Sequence, residues 1–257
     1  MCLILFAYQA NAAYPLVVAA NRDEAYARPT ATAAFWHDHP QVYGGRDLEM
    51  GGAWMGLTLG GRFAAVTNFR DGQPKGAAPR SRGELVGAYL TGTQPAQAYL
   101  EAVAARQSEY AGFGALAGDL ESLWFFSNYG TGVQRVAPGL HGLSNHLLDT
   151  PWPKVAEGKR ELAAVLDCGT QNLPQKLFAM LADRSGAPAH ALPDTGVGMP
   201  REKQLGAKFI AVDERYGTRA STVIIVECDR QVLYAERSFG PRGQFAGEVT
   251  RRFQLRA

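Results

Sequence analysis

The sequence predicts an α+β domain in which antiparallel sheets are covered by helices. Short aliphatic segments bounded by turn residues lie at the start, middle and end of the chain, and two pairs of helical segments separate them. Grouped strands and grouped helices favour antiparallel sheets over a repeated βαβ pattern. With 257 residues, of which 46% are hydrophobic and 19% charged, the chain can bury a large core. We expect one domain over residues 1–257.

The first half of the chain predicts two hairpins followed by two helices. The segments CLILFAYQ and PLVVAA, joined by NAAY, form the first hairpin, and AWMGLTL and RFAAVTN form the second around Gly60 and Gly61. Ser81 and Glu84 have the spacing of a capping box for the helix GELVGAYL, which ends near Gly92. PAQAYLEAVAARQSEY is the second helix, with its proline in the first turn.

The second half predicts a hairpin, two helices and three closing strands. FGALAGD and ESLWFFSN pair as strands, and WPKVAEGKRELAAVL and LPQKLFAMLADR have helical periodicity. The Pro- and Gly-rich segment APAHALPDTGVGMPREKQ predicts a loop. AKFIAVD, RASTVIIVEC and QVLYAERSF are the closing strands.

Charge and cysteine usage narrow the functional class. The chain has 26 basic and 24 acidic residues, a net charge of +2, which argues against a nucleic-acid partner. Its apolar runs are far shorter than the ~20 residues of a transmembrane helix, and no basic segment precedes an apolar one at the start. Cys2, Cys168 and Cys228 are odd in number and lack metal or redox spacing. These features predict a soluble cytoplasmic protein.

Cys2 has two interpretations. It can be a small apolar residue at the start of a buried strand. Alternatively, Met1 is removed and Cys2 becomes an N-terminal nucleophile with a free α-amine, whose usual pKa of ~7.7–8.0 suits a base. If the first hairpin turns near Ala12, paired residue numbers sum to about 24, which places Cys2 opposite Arg22.

The segment NRD would then lie beside the thiol. The Arg22 guanidinium would favour the thiolate, making Cys2 the most reactive thiol, and Asp23 would orient the amine. Asn21 would lie next to them. The other interpretation is a solvated loop in which these side chains bond to nearby backbone groups.

Three further polar residues stand where strands meet loops. Asn68 ends the second hairpin, Asn145 precedes a predicted helix, and Arg219 stands at the entry of a buried strand. Asparagine amides are suitable donors to an oxyanion. Turn or helix capping is the alternative for each asparagine.

Several ordered motifs together resemble one known family. MCLILFAY, ANRDE, GGRDLEMGGAWMG, VTNFRD, GLSNHLLDTPWPKV and YGTRASTVIIV are similar to the NRDE-motif proteins of the transport and Golgi organization 2 family, from residue 1 to about residue 240. That family resembles the N-terminal nucleophile hydrolases. The resemblance implies a four-layer αββα sandwich of two stacked antiparallel sheets with helices outside.

The resemblance also implies roles for the candidate residues. Bile-salt hydrolases and penicillin V acylases use an N-terminal cysteine, matched here by Cys2, and an early arginine and aspartate, matched by Arg22 and Asp23. Their oxyanion asparagine is matched best by Asn145 and less well by Asn68, and their late arginine by Arg219. The relatives space the early pair as R-N-x-D, whereas here it is adjacent.

The implied function is hydrolysis of a non-peptide amide or another acyl compound, with no metal or other cofactor required. Asn21, Asn68 and Trp54 are the expected substrate contacts, the partner being a small molecule with an acyl or apolar part. The family has also been linked to haem mobilisation and to lipid or acyl-CoA handling. The alternative is therefore a non-catalytic carrier of haem or of an acylated molecule, in which a Cys or His side chain could ligate haem iron.

Other motifs predict less. His37, Asp38 and His39 lack a third metal ligand at useful spacing and predict a surface loop. GGRDLEMGG predicts a tight loop that approaches the site closely. The four tryptophans could line a pocket for an apolar acyl group, or pack in the core: Trp36, Trp54, Trp124 and Trp152. His146, beside Asn145, is a candidate proton carrier or an ordinary loop histidine.

Overall fold

Two antiparallel sheets form the centre of the computed structural model, which describes residues 2–73, 78–169 and 171–256. The first sheet has six strands in the order β10-β1-β2-β11-β12-β13. These are β1 (Cys2–Asn11), β2 (Tyr14–Ala25), β10 (Gly139–Leu143), β11 (Tyr216–Val226), β12 (Gln231–Gly240) and β13 (Gln244–Gln254). Cys2 pairs with Arg22 across β1 and β2, which confirms the register expected from the sequence.

The second sheet has seven strands in chain order, from β3 to β9. These are β3 (Thr30–Phe35), β4 (Val42–Asp47), β5 (Met55–Thr58), β6 (Phe63–Asn68), β7 (Phe113–Gly118), β8 (Leu123–Ser127) and β9 (Gln134–Arg135). The predicted hairpins β5–β6 and β7–β8 are both present.

The helices fall into two groups. In chain order they are α1 (Gly83–Thr91), α2 (Ala96–Ala105), α3 (Pro153–Asp167), α4 (Leu173–Leu181) and the short α5 (Met199–Gln204). The first four agree with the predicted helices. Among the described residues, no helix is long and apolar enough to cross a membrane.

Three apolar cores separate four layers. Alternate residues of β1 face opposite ways: Ile4 and Phe6 join the core between the two sheets, whereas Leu3 and Leu5 join the core beneath α3 and α4. A third core lies between the second sheet and the helices α1 and α2. The layers are therefore helix, sheet, sheet, helix, which confirms the αββα sandwich.

Several local predictions are wrong. AKFIAVD forms no strand; the Phe209 N–H donates to the Asp183 carbonyl, and only an isolated bridge joins Ala211 to Gly217. The Ser81–Glu84 pair forms no capping box, because the Glu84 carboxylate accepts bonds from Arg80 and Tyr110 instead. The segment 134–143, for which no element was predicted, contains two short strands, one in each sheet.

The edge strands β3 and β13, and β4 between β3 and β5, were not predicted. β13 is largely exposed and carries Glu248, Arg251 and Arg252, so it lacks the apolar alternation of a half-buried strand. GGRDLEMGG was predicted as a tight loop, but its first four residues, 44–47, belong to β4 and only the remainder turns. The close approach of backbone there explains Gly44, because a Cβ would lie 2.7 Å from the Met55 carbonyl oxygen.

Leu5→Ala tests the core between the first sheet and its helices. Leu5 is fully buried, so truncation should lower the free energy of unfolding by ~2–5 kcal/mol. Leu48→Ala is the matched control, because Leu48 is 61% exposed and should change it by less than ~0.5 kcal/mol. Urea denaturation measures both. Equal losses in the two variants would contradict this placement of the core.

Candidate functional site

Cys2 lies in the wall of a cavity of about 300 Å³. Neighbouring strands and the start of α1 complete the wall of this cavity, which we call the Cys2 cavity. Its lining includes Arg22, Asp23, Trp54, Asn68 and Arg82. The cavity therefore brings together four of the residues proposed from the sequence around the candidate nucleophile.

The Cys2 thiol is held inside the fold. Only 8% of the residue is exposed, the Asp23 backbone N–H donates to its sulfur, and the Ser144 hydroxyl donates to its carbonyl at 3.1 Å. Burial raises the pKa of Cys2, and the Asp23 carboxylate raises it further, while Arg22 lowers it. Arg22 therefore acts in the predicted direction, toward the thiolate, but burial outweighs the guanidinium.

Asp23 is a buried carboxyl group at the end of β2. Its Oδ1 accepts a 2.7 Å hydrogen bond from the Thr218 hydroxyl, and its carbonyl accepts one from the Tyr216 hydroxyl at 3.2 Å. Burial raises the pKa of Asp23, whereas the positive charges of Lys154 and Arg70 lower it. Residues of β11 thus orient Asp23, and the nearby Lys154 and Arg70 are positively charged.

Lys154 is a member of this cluster that the sequence analysis missed. Only 5% of it is exposed, and its ammonium group donates to the Leu205 carbonyl at 3.1 Å. Burial lowers the pKa of Lys154 to about 8, against the attraction of Asp23 and Cys2. The signal was present: Lys154 shares a helical stripe with the buried Gly158 and Leu162.

Two further arginines surround the cluster and were also missed. Arg82 lines the Cys2 cavity and donates to the Gly112 carbonyl at 3.1 Å; burial lowers its pKa, and Cys2 raises it. Arg70 forms a buried 2.6 Å ion pair with Glu202 of α5. Its guanidinium also lies 4.8 Å from the centre of the Trp152 ring. The Arg70–Glu202 pair ties α5 to the segment that follows β6.

The two asparagines contact each other. The Asn145 side-chain amide donates to the Asn68 carbonyl at 3.0 Å, and the Arg70 N–H donates to the Asn145 carbonyl at 2.7 Å. Asn145 is fully buried, its backbone is left-handed with a φ of 57°, and α3 begins only at Pro153. It is therefore not a cap of that helix. Asn68 lines the Cys2 cavity, with Asn145 directly behind it.

Two candidate residues lie elsewhere. Asn21 faces the helices: its amide donates to the carbonyls of Leu181 and Lys208, at 2.9 and 2.8 Å, and its oxygen accepts from Ser221. The expected substrate contact of Asn21 is therefore wrong, because its amide and its oxygen are both bonded to protein groups on the helix side of the sheet.

Arg219 lines a second cavity, described below, and donates to the carbonyls of Ala25 and Tyr26. Its expected contact with the Cys2 thiol is wrong for a local reason. The register of β11 against β2 shifts between Thr218 and Ala220, so Arg219 is the extra residue of a β-bulge.

The remaining candidates, the histidines, lie in loops. His146 Nδ1 lies 2.8 Å from the Thr150 hydroxyl oxygen, and burial lowers the pKa of His146. His37 and His39 lie in the loop between β3 and β4. Within the described ranges, no group of three His, Cys, Asp or Glu side chains could hold a metal ion.

Comparison with known proteins identifies relatives along nearly the whole chain. The family model described as Transport and Golgi organisation 2 matches residues 1–241. The Transport and Golgi organization protein 2 homologs of Bos taurus and Homo sapiens are 37% and 36% identical, with 93% of each chain covered. A mutant conjugated bile acid hydrolase from Clostridium perfringens superposes with a TM-score of 0.49 at 8% identity, covering 99% of this chain and 92% of that one.

Thiol labelling tests the surroundings of Cys2. Because Cys2 is buried with a raised pKa while Cys168 and Cys228 are exposed, a bulky thiol reagent at neutral pH should modify the latter two first. Peptide mapping over time gives the order, and urea should abolish the difference. Faster labelling of Cys2 than of both other thiols would contradict the buried, neutral state.

Glu236→Gln tests the raised pKa of a carboxyl group in the second cavity. Burial raises the pKa of Glu236 from 4.5 to about 7, so the folded wild type binds a proton that the unfolded chain releases, and its stability falls as pH rises across that range. At about pH 8 the variant should be more stable by up to ~3 kcal/mol, and near pH 4.5 the gain should vanish. Denaturation at both pH values measures it; a gain independent of pH would contradict the shift.

Proposed function

This chain belongs to the Transport and Golgi organisation 2 family, and from that membership and the surroundings of Cys2 we propose an N-terminal cysteine hydrolase that acts on a non-peptide amide or another acyl compound. One observation carries the proposal. The Cys2 thiol lies in a cavity wall at the very start of β1, against the oriented Asp23 carboxyl and within the charge field of Arg22, Arg82 and Lys154.

The proposed reaction has two steps. Cys2 Sγ bonds to the carbonyl carbon of the substrate, its proton passes through the α-amine to the leaving nitrogen, and the C–N bond breaks. Water then attacks the thioester, which releases the acid and restores the thiol. The amine is available as a base only if Met1 is removed, so the intact mass of the purified protein checks this premise directly.

A protonated resting thiol is compatible with this sequence of events. The base takes the proton as the carbon–sulfur bond forms, so a free thiolate need not accumulate beforehand. We assign Asp23 to hold the amine and Lys154 to hold Asp23. Arg22 and Arg82 supply the positive charge that offsets burial of the sulfur.

The oxyanion donors in this proposal are side-chain amides. Asn68 lines the cavity itself, and Asn145 stands behind it with one amide N–H bonded to the Asn68 carbonyl. An amide nitrogen has a second N–H, so that bond leaves a donor. Removal of such a donor costs ~10²–10³-fold in rate.

The second candidate is a carrier of an acylated molecule or of haem. The observation in its favour is the raised pKa of Cys2, because a neutral buried thiol also suits a binding wall. The volume of about 300 Å³ is at the lower end of the ~300–1,000 Å³ of small-molecule sites, which favours a small acyl compound over haem.

Cys2→Ser separates the two candidates. An enzyme should lose at least ~10²-fold in turnover of amide or thioester substrates, because a hydroxyl is a far weaker nucleophile of similar size. Binding should persist, since the cavity wall is kept. Cys168→Ser is the matched control and should retain full turnover, because Cys168 is exposed.

A screen of acyl substrates with the wild type and both variants provides the measurement. No Cys2-dependent turnover, together with stoichiometric binding of an acyl compound or of haem, would favour the carrier. Haem titration should then give a defined absorption band, which Cys2→Ser shifts only if the thiolate ligates the iron.

A further inference from the structure

A second cavity of about 290 Å³ adjoins the Cys2 cavity. It lies between the first sheet and β3 of the second, and Arg22 and Trp54 line both cavities. We call it the arginine cavity, because Arg22 and Arg219 both contribute to its wall. Trp54 and Phe239 add apolar ring surface to the lining.

Neither guanidinium is fully used by the protein. The Arg22 side chain is only 6% exposed, its Nη1 donates to the Thr30 hydroxyl at 3.0 Å, and its carboxylate partner Glu24 lies 3.7 Å from Nη2. Arg219 donates from Nη1 to the carbonyls of Ala25 and Tyr26, and no ion pair in the described part of the chain includes it. Each guanidinium has five N–H donors, so several remain for a ligand.

The two like charges oppose each other. Burial lowers the pKa of Arg219, and the charge of Arg22 lowers it further. Glu24, 3.7 Å from Arg22, raises the pKa of Arg219 but does not cancel these two effects. An anion between the two guanidinium groups would offset the remaining cost of holding them at one partly desolvated wall. The β-bulge at Arg219 is what creates the pair, because a regular strand would have sent that side chain to the other face.

We propose that the arginine cavity binds a small organic anion, a carboxylate on a short apolar body, with the carboxylate between Arg22 and Arg219. A guanidinium fork matches a carboxylate, and Trp54 and Phe239 offer apolar surface to the body. This inference is independent of turnover at Cys2, since it concerns equilibrium binding in a different cavity.

Glu236 makes the binding depend on pH. Its carboxyl group lines the same cavity, accepts the Ala33 N–H at 2.9 Å, and bonds weakly to the Thr222 hydroxyl at 3.4 Å. The charged and titratable groups that act on it or respond to it are Arg22, Tyr43 and Tyr234. Of these groups only Glu236 changes charge near neutral pH, and its neutral form no longer repels an anion, so affinity should rise as pH falls.

Calorimetric titration with butyrate tests the site, because butyrate stays ionised between about pH 6 and about pH 8. The wild type should bind one equivalent, several-fold more tightly at the lower pH. Arg219→Gln should weaken binding at least ~10-fold. Arg237→Gln should leave it unchanged, because Arg237 belongs to the neighbouring strand β12 and pairs with the exposed Glu248 at 2.8 Å.

Two further variants, Glu236→Gln and Arg219→Lys, complete the test of the arginine cavity. Glu236→Gln should bind butyrate more tightly at about pH 8 and lose the pH dependence, while circular dichroism confirms that each variant is folded. If Arg219→Gln does not fold, Arg219→Lys replaces it, and it should also bind less tightly because it lacks the fork. No binding to the folded wild type, or equal binding by folded Arg219→Gln, would overturn the proposal. Loss of turnover in Cys2→Ser with butyrate binding unchanged would separate it from the function at Cys2.

Discussion

The pairing of Cys2 with Arg22 across β1 and β2 is the constraint on which both cavities depend. Side chains alternate along a strand, so this register sends Arg22 into the space between the sheets and Asn21 toward the helices. A slip by one residue would exchange them: the amide would enter the cavity and the guanidinium would meet the apolar core under α4. Backbone pairing at the edge of one hairpin therefore decides the charge of the site.

Charge rather than shape distinguishes the region around Cys2. Burial favours the neutral forms of Cys2 and Asp23, and the surrounding cations favour the charged ones. The cations are themselves desolvated, which lowers the pKa of Lys154 to about 8. The cluster thus holds several buried titratable groups with shifted pKa values, a feature shared by functional sites and by structural ion-pair networks.

Sequence reasoning succeeded where local rules act and failed where packing decides. The constant sum of an antiparallel register was enough to place Cys2 opposite Arg22. The bulge at Arg219 has no marker in the local sequence pattern, so the predicted contact with the thiol was wrong. Lys154 comes close enough to Asp23 to affect its pKa, and Arg82 reaches the Cys2 cavity, because α3 and the start of α1 pack on the sheets from opposite sides. Residue types alone do not specify that packing.

Arg22 links the two cavities, because its side chain forms part of both walls. Its charge lowers the pKa of Cys2 and also faces the proposed anion site. A Cys2 thiolate in one cavity and a bound carboxylate in the other would both be stabilised by the Arg22 guanidinium. An anion in the arginine cavity would therefore weaken the stabilisation of the thiolate. By linkage the effect is reciprocal: ionisation of Cys2 lowers the affinity for the anion by the same factor.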